Sequence, residues 1–184
     1  MLGSELLRGE RLLLTALGRD DAATVATWYA DAEFLRMYDA MAAFPKGEEE
    51  IVARIEEAAK SDRTFLFGLR TAADGALIGQ AAIESILWTH RVGWLSIALG
   101  PGHWGQGFGT EAMRLLLPYA FGELNLYRLQ LTVFDYNARA LALYARFGFR
   151  REGVFRRFLL RDGERHDMLL MGLLADEWRE GRVE

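Results

Sequence analysis

Ten positions past the middle of the chain carry the densest chemical signal. Gly100-Pro-Gly-His-Trp-Gly-Gln-Gly-Phe-Gly109 holds five glycines, and Thr110, Glu111 and Ala112 follow at once. An apolar strand precedes this loop and an amphipathic helix opens after it. Glycines let the main chain curl so that several N–H groups face one point, and a helix N-terminus adds partial positive charge. Such a pattern binds a phosphate or diphosphate without a lysine. Its plain alternative is a tight strand-to-helix turn with no ligand. A Walker loop needs Lys after its last glycine, and here Phe108 follows Gly107. The dinucleotide fingerprint G-x-G-x-x-A is formally met by Gly107, Gly109 and Ala112, with Asp135 lying 23 residues beyond. That fingerprint belongs to a first βαβ unit, so a dinucleotide-dependent oxidoreductase is the weaker of the enzyme readings.

Other chemistries have fewer residues to work with. The chain of 184 residues contains no cysteine, which excludes disulfides, thiolate metal sites and acyl transfer through an enzyme thiol. His90, His103 and His166 lie far apart in sequence, so no metal site is expected. The net charge of −4 and a pI near 5.5 argue against nucleic acid as a partner. The longest apolar run, Met168 to Ala175, falls well short of the roughly 20 residues that span a bilayer, so no membrane association is expected. Glu5, Arg8, Glu10 and Arg11 interrupt the start of the chain where a secretory leader would be apolar. A cytoplasmic location is the expectation.

The elements that must position the loop follow from periodicity. Arg11 to Leu17 reads as a strand, and Asp20 as the N-cap of a helix over Ala22 to Tyr29. Phe34 to Phe44 reads as irregular and aromatic. Gly47 to Lys60 is a helix whose Glu48, Glu49 and Glu50 suit its N-terminal dipole. Strands are predicted over Thr64 to Thr71, Ala76 to Trp88 and Val92 to Leu99, with a turn at Asp74-Gly75. Thr110 to Phe121 is helical, with Pro118 requiring a kink or an earlier end. Arg128 to Phe134, Asn137 to Phe147, Arg150 to Arg161 and Glu164 to Leu173 then read as strand, helix, strand and strand. A strand meander followed by strand–helix–strand units gives an α+β or mixed α/β class around one sheet. No linker or repeat divides residues 1–184, so one domain is expected.

Two blocks resemble the GNAT superfamily of N-acetyltransferases, and in particular its RimJ/RimL branch of ribosomal-protein N-terminal acetyltransferases. Trp104-Gly-Gln-Gly-Phe-Gly-Thr-Glu-Ala112 is similar to the family's Q/R-x-x-G-x-G/A loop. Asn137-Ala-Arg-Ala-Leu-Ala-Leu-Tyr-Ala-Arg-Phe-Gly-Phe149 is similar to its N-x-x-A-x-x-x-Y-x-x-x-G-F helix. The resemblance runs from Arg11 to about Trp178. It implies a mostly antiparallel mixed sheet, helices on both faces, and a split between central strands that admits acetyl-CoA. It implies acetyl transfer from acetyl-CoA straight to a primary amine, on a protein N-terminus or a small molecule, and a possible homodimer. The cofactor residues it implies are Ile97, Ala98 and Leu99 on the strand, Trp104, Gly105, Gln106, Gly107, Phe108, Gly109 and Thr110 in the loop, and Asn137 and Tyr144 on the later helix.

Acyl transfer to an amine needs a neutral nucleophile, a donor for the carbonyl oxygen and a proton for the departing thiolate. By helix spacing alone Tyr144 reads first as a core tyrosine packed with Ala140, Leu141 and Phe147; the resemblance implies instead that it supplies that proton. The family's usual base positions fall near Val92 and at Thr132, and neither residue takes a proton. Glu84, which interrupts an apolar strand, is the leading base, with His90 and ordered water as alternatives, and Asp39 is expected to hold the substrate ammonium. Tyr38, Asp39 and Trp88 are expected to line the acceptor site, together with Phe34, Met37 and Phe44. The missing base motivates one further alternative, a non-catalytic acetyl-CoA sensor.

Overall fold

A computed structural model describes residues 6–181; Glu5 and the outermost positions of the 1–184 span lie outside the described residues. All seven strands belong to one sheet, in the order β1-β2-β3-β4-β5-β7-β6. They are β1 (Leu12–Ala16), β2 (Phe65–Thr71), β3 (Leu77–Leu87), β4 (Val92–Leu99), β5 (Arg128–Phe134), β6 (Arg150–Arg161) and β7 (Glu164–Leu174). Every neighbouring pair is antiparallel except β4 and β5, which run parallel. A parallel pair needs a crossover, here supplied by the helix after the glycine loop.

Side chains of β2 alternate between two cores. Phe67 and Leu69 face one core, built with Ala112, Met113, Leu116 and Leu117 of α4 (Phe108–Pro118) and Tyr144 of α5 (Ala138–Arg146). Leu66 faces the other, built from α1 (Ala22–Trp28), α2 (Ala32–Tyr38) and α3 (Glu48–Lys60). Helices therefore cover both faces, as expected. Pro118 ends α4, and a π-helical turn over Tyr119–Glu123 follows in place of a longer helix. The last short helix, α6 (Ala175–Glu180), is one that periodicity does not predict.

Two expectations near the N-terminus change. Asp20 does not cap α1: a 3₁₀ turn over Arg19–Asp21 comes first, and it is Asp21 Oδ2 that accepts from the Gly18 amide at 2.8 Å. Phe34 to Phe44 is not irregular throughout. Asp31 Oδ1 accepts from the Phe34 amide at 2.7 Å and starts α2, which runs to Tyr38.

Asp21 is buried and spends its second oxygen on Arg70 Nη2 of β2 at 2.5 Å. Removing it strands a shielded guanidinium and an amide together. Asp21→Ala should lower the unfolding free energy by about 2–3 kcal/mol in urea titration, more than an exposed pair would cost.

Candidate active site

The sheet opens at its centre. β4 and β5 pair only at Val92↔Arg128, Gly93↔Leu129 and Trp94↔Gln130. Beyond that point β4 stays with β3 as far as Gly79↔Leu99, and β5 stays with β7 as far as Phe134↔Met168. The inner edges of Leu95 to Leu99 and of Leu131 to Phe134 are left without strand partners across the gap. This is the predicted split.

Two cavities fill it, of about 440 and 350 Å³. They share Met37, Tyr38, Ile97, Asn137, Ala140 and Tyr144, so they meet at the two tyrosines. The first runs toward the glycine loop. It is lined by Ile97, Ala98, Leu99, Trp104, Gly105, Gly107, Gly109, Thr110, Asn137 and Tyr144 from the predicted cofactor set. Phe108 and Gln106 do not line it. The Phe108 ring is buried beneath the Arg11 guanidinium, 4.4 Å from the ring centre, and Gln106 Nε2 turns back to the Gly102 carbonyl at 2.6 Å. Only the main-chain amides of these two residues remain for a ligand.

The loop is held from outside. Arg11 Nη1 donates to the Gln106 carbonyl at 3.1 Å, and Trp104 Nε1 donates to the Leu99 carbonyl at 2.7 Å. Glu111 Oε1 accepts from the Arg11 and Leu12 amides, tying the first turn of α4 to β1. Among the described residues, none accepts from the amides of Gly105 to Thr110. Gly105 and Gly107 have φ of +73° and +87°, a region that glycine enters without strain. Six adjacent amides, a helix N-terminus and Arg146, with Arg139 alongside already paired to Glu33 at 3.0 Å, give this end of the cleft the chemistry to hold a diphosphate. Sequence reading missed these two arginines. Their seven-residue spacing on α5 places them on one face, which a search for cations on that helix would have found.

The second cavity lies on the other side of the tyrosines. Tyr38, Asp39, Glu84, Trp94, Ser96, Thr132, Phe134 and Met168 line it, bringing Glu84 and Asp39 to one space. Glu84 sits in register with Trp94, the last β4 residue paired to β5, so it stands where the gap begins. Trp88 is not there. It follows β3 at the closed end of the split, where its Nε1 donates to the Asp62 carbonyl at 3.0 Å and its ring meets Phe65 edge-on. Phe44 is 72% exposed and lines neither cavity, and Val92 lines neither. His90 lies in the exposed turn after β3. Asn137 caps α5 through Oδ1 to the Ala140 amide and donates through Nδ2 to the Met37 carbonyl at 3.4 Å, which leaves one N–H uncommitted.

Burial pushes the Tyr144 phenol well above the ordinary tyrosine value, and the neighbouring Tyr38 phenol adds to the push. Burial does the same to Tyr38, against the opposing field of Arg54. Both phenols are neutral proton donors at neutral pH.

The sequence profile described as the Acetyltransferase (GNAT) domain matches residues 11–150. The chain belongs to the GNAT acetyltransferase family. It is an acetyl-CoA-dependent N-acetyltransferase, and the donor fits the unbonded amides of Gly105 to Thr110. The ribosomal protein uS5 alanine N-acetyltransferase of Escherichia coli is 28% identical over 182 residues, covering 96% of this chain and 94% of that one. The spermidine N(1)-acetyltransferase of the same organism is 29% identical over 119 residues, 65% and 62% of the two chains. A crystal structure of spermidine N-acetyltransferase from Vibrio cholerae, in complex with CoA and spermine, superposes with a TM-score of 0.84 over 93% of this chain and 99% of that chain. At its 24% identity that likeness concerns the fold. The dinucleotide reading falls with this GNAT topology. Gly107, Gly109 and Ala112 follow the fourth strand of a mixed sheet, and Asp135 is engaged by His166 and the Asp167 amide. Among the described residues, no helix is long and apolar enough to cross a membrane.

A Cβ at Gly107 would meet only Arg11 Nη1, at 3.8 Å, so its cost is one of conformation and not of space. Gly107→Ala should cost about 1–2 kcal/mol through the left-handed φ. It should also weaken coenzyme A binding in calorimetry, because relaxing that φ turns neighbouring amides away from the diphosphate.

Proposed function

We propose that the chain acetylates a singly charged primary amine carried on an apolar, peptide-like body, the α-amine of a protein N-terminus being the class that fits best. The observation that carries this reading is the meeting of two cavities at Tyr144 and Tyr38, with cationic side chains at one end and two carboxylates at the other. A polyamine brings several charges and asks for as many carboxylates. Among the described residues the second cavity has Asp39 and Glu84, and Asp39 Oδ1 already accepts from the Met41 amide at 2.9 Å. The β6–β7 hairpin beyond carries Arg156, Arg157, Arg161 and Arg165, which disfavour a polycation. The uS5 alanine acetyltransferase aligns over nearly the whole chain, which supports a protein acceptor.

In this reading the amides of Gly105 to Thr110 bind the diphosphate, and Arg139 and Arg146 add charge. The open edge of Ile97, Ala98 and Leu99 orients the pantetheine arm. Acetyl-CoA, when bound, supplies a thioester whose carbonyl carbon takes the amine nitrogen as its C–S bond breaks. Glu84 receives the proton that the ammonium loses before its nitrogen can attack, and the second proton on that nitrogen, lost once the C–N bond has formed, returns to the Tyr144 oxygen. Tyr144 Oη holds the proton that the departing sulfur takes. In this reading residues 1–184 form one domain, which the gathering of every described strand into one sheet supports, and a cysteine-free sequence suits the cytoplasm.

An acceptor panel scored by release of free coenzyme A tests the proposal. An alanine- or serine-initiated peptide should show the higher kcat/KM, and a preference for spermidine would overturn the acceptor class. Tyr144→Phe should lower kcat by about 100-fold, at the lower end for a lost general acid because a thiolate leaves readily. Its raised pKa also fixes the sign of the pH profile: the phenol stays protonated past pH 10, so kcat should show no descending limb between neutrality and pH 10. A basic limb within that range would count against Tyr144 as the acid.

A further inference from the structure

Arg54 is a half-buried cation with no carboxylate paired to it among the described residues. It reaches from α3 toward the second half of α2. Its Nη1 donates to Tyr29 Oη and to Gln80 Oε1, both at 3.2 Å, and its Nη2 donates to Tyr38 Oη at 3.1 Å. All three partners are neutral. None of the ion pairs among the described residues includes Arg54, and Glu84 acts on the guanidinium through its field. A half-buried cation without a counter-ion is costly to fold. Hydrogen bonds to three acceptors offset that cost, and the charge itself is left unneutralised beside the cleft.

The effect of that charge is delivered by Tyr38. Its ring is stacked on Phe34 with centroids 5.5 Å apart, and it meets Tyr29 edge-on at 6.2 Å. Because Tyr38 Oη accepts from Arg54, its own O–H must point away from the guanidinium. No described residue accepts that hydrogen, and Tyr38 lines both cavities where they meet. A phenol that accepts from a cation is polarised and becomes a stronger donor. We propose that Tyr38, oriented and polarised by Arg54, donates its O–H to the negative charge that develops at the reacting acyl group, with Arg54 as the positioning residue behind it. This rests on the acetyl-transfer reading and adds an electrostatic device to it. It differs from the role of Tyr144, which gives up a proton; Tyr38 keeps its own. A preorganised donor backed by a fixed charge is the arrangement that favours a transition state over a neutral ground state.

Two stable analogues separate charge from shape. S-carboxymethyl coenzyme A puts a carboxylate in place of the acetyl methyl, one bond beyond the acyl carbon and beside the site of the acyl oxygen, and S-ethyl coenzyme A puts a neutral methyl there. In calorimetry the wild type should prefer the carboxymethyl analogue. Arg54→Met should weaken that analogue by about 10-fold while leaving the ethyl analogue unchanged, as expected for losing one charge-backed hydrogen bond. Tyr38→Phe should do the same, and the double variant should be no worse than either single one. Arg54→Lys should restore part of the preference, because it keeps the charge. Tyr29→Phe removes one of the three bonds that hold Arg54 but leaves the Arg54–Tyr38 bond, and should weaken the carboxymethyl analogue less than Tyr38→Phe does. In turnover, Arg54→Met should lower kcat with KM for acetyl-CoA unchanged. Equal weakening of both analogues, additive losses in the double variant, or a Tyr29→Phe effect matching that of Tyr38→Phe would reduce Arg54 to a packing residue and overturn the proposal. If the wild type binds neither analogue, the acetyl-CoA reading itself fails and this one with it.

Discussion

The parting of β4 from β5 after three paired positions is the constraint from which the rest of the site follows. Main-chain N–H and C=O groups are obligatory hydrogen-bonding groups, and leaving two strand edges unpaired inside a protein is expensive unless something else satisfies them. Here each half of the sheet keeps its outer ladder intact, β4 with β3 and β5 with β7, so the unpaired groups face a cavity instead of packed side chains. The opening is therefore not a defect at an edge. It is a slot with regular walls, closed at the Val92 end and open at the Leu99 end, where the glycine loop begins. An extended, amide-bearing ligand arm is the natural complement of such walls.

The two halves would be free to spread further were they not tied together. α2 provides the tie. Tyr136 Oη donates to the Arg36 carbonyl at 2.7 Å, and the Arg36 guanidinium bonds both oxygens of Asp162 at the tip of the β6–β7 hairpin, each at 2.7 Å. Arg161 Nη2 donates to the Asp39 and Met41 carbonyls at 2.9 and 3.0 Å. The exposed Arg36–Asp162 pair adds little stability by itself. Its value is geometric, since it holds the segment bearing Tyr38 and Asp39 over the second cavity. The cost of ordering that segment is thus met by contacts remote from the reacting atoms, as is general for preorganised sites.

Charge is sorted along the slot. Arg139 and Arg146 stand with the loop amides at one end, Asp39 and Glu84 at the other, and two neutral phenols between them. Arg54 sits behind Tyr38, with no carboxylate paired to it among the described residues. Such a layout suits an anionic donor at one mouth and a cationic acceptor at the other, with Tyr144 lining both cavities where they meet. Water shields these charges less inside the cleft than it would on the surface, so a few side chains suffice.

Much of this was legible along the chain. A glycine run between an apolar strand and an amphipathic helix is a local pattern, and local main-chain geometry follows from it; the positive φ values of Gly105 and Gly107 bear this out. Asn137 and Tyr144 lie on one helix, so spacing alone relates them, and hydrophobic periodicity located most strands to within a residue or two. The failures are of another kind. Trp88 and Glu84 are near neighbours on one strand, yet a bulge at Ser85 and the direction of the gap put one at the closed end and the other in the cavity. Arg54 reads as one more charged position on a surface helix, and only the docking of α3 against α2 brings it to Tyr38. The sequence by itself determined the cradle, the helix that carries Tyr144, and the family. The tertiary structure decided which distant side chains share the cleft, because proximity across a sheet depends on strand register and helix docking, and neither is written in the spacing of residues along one element.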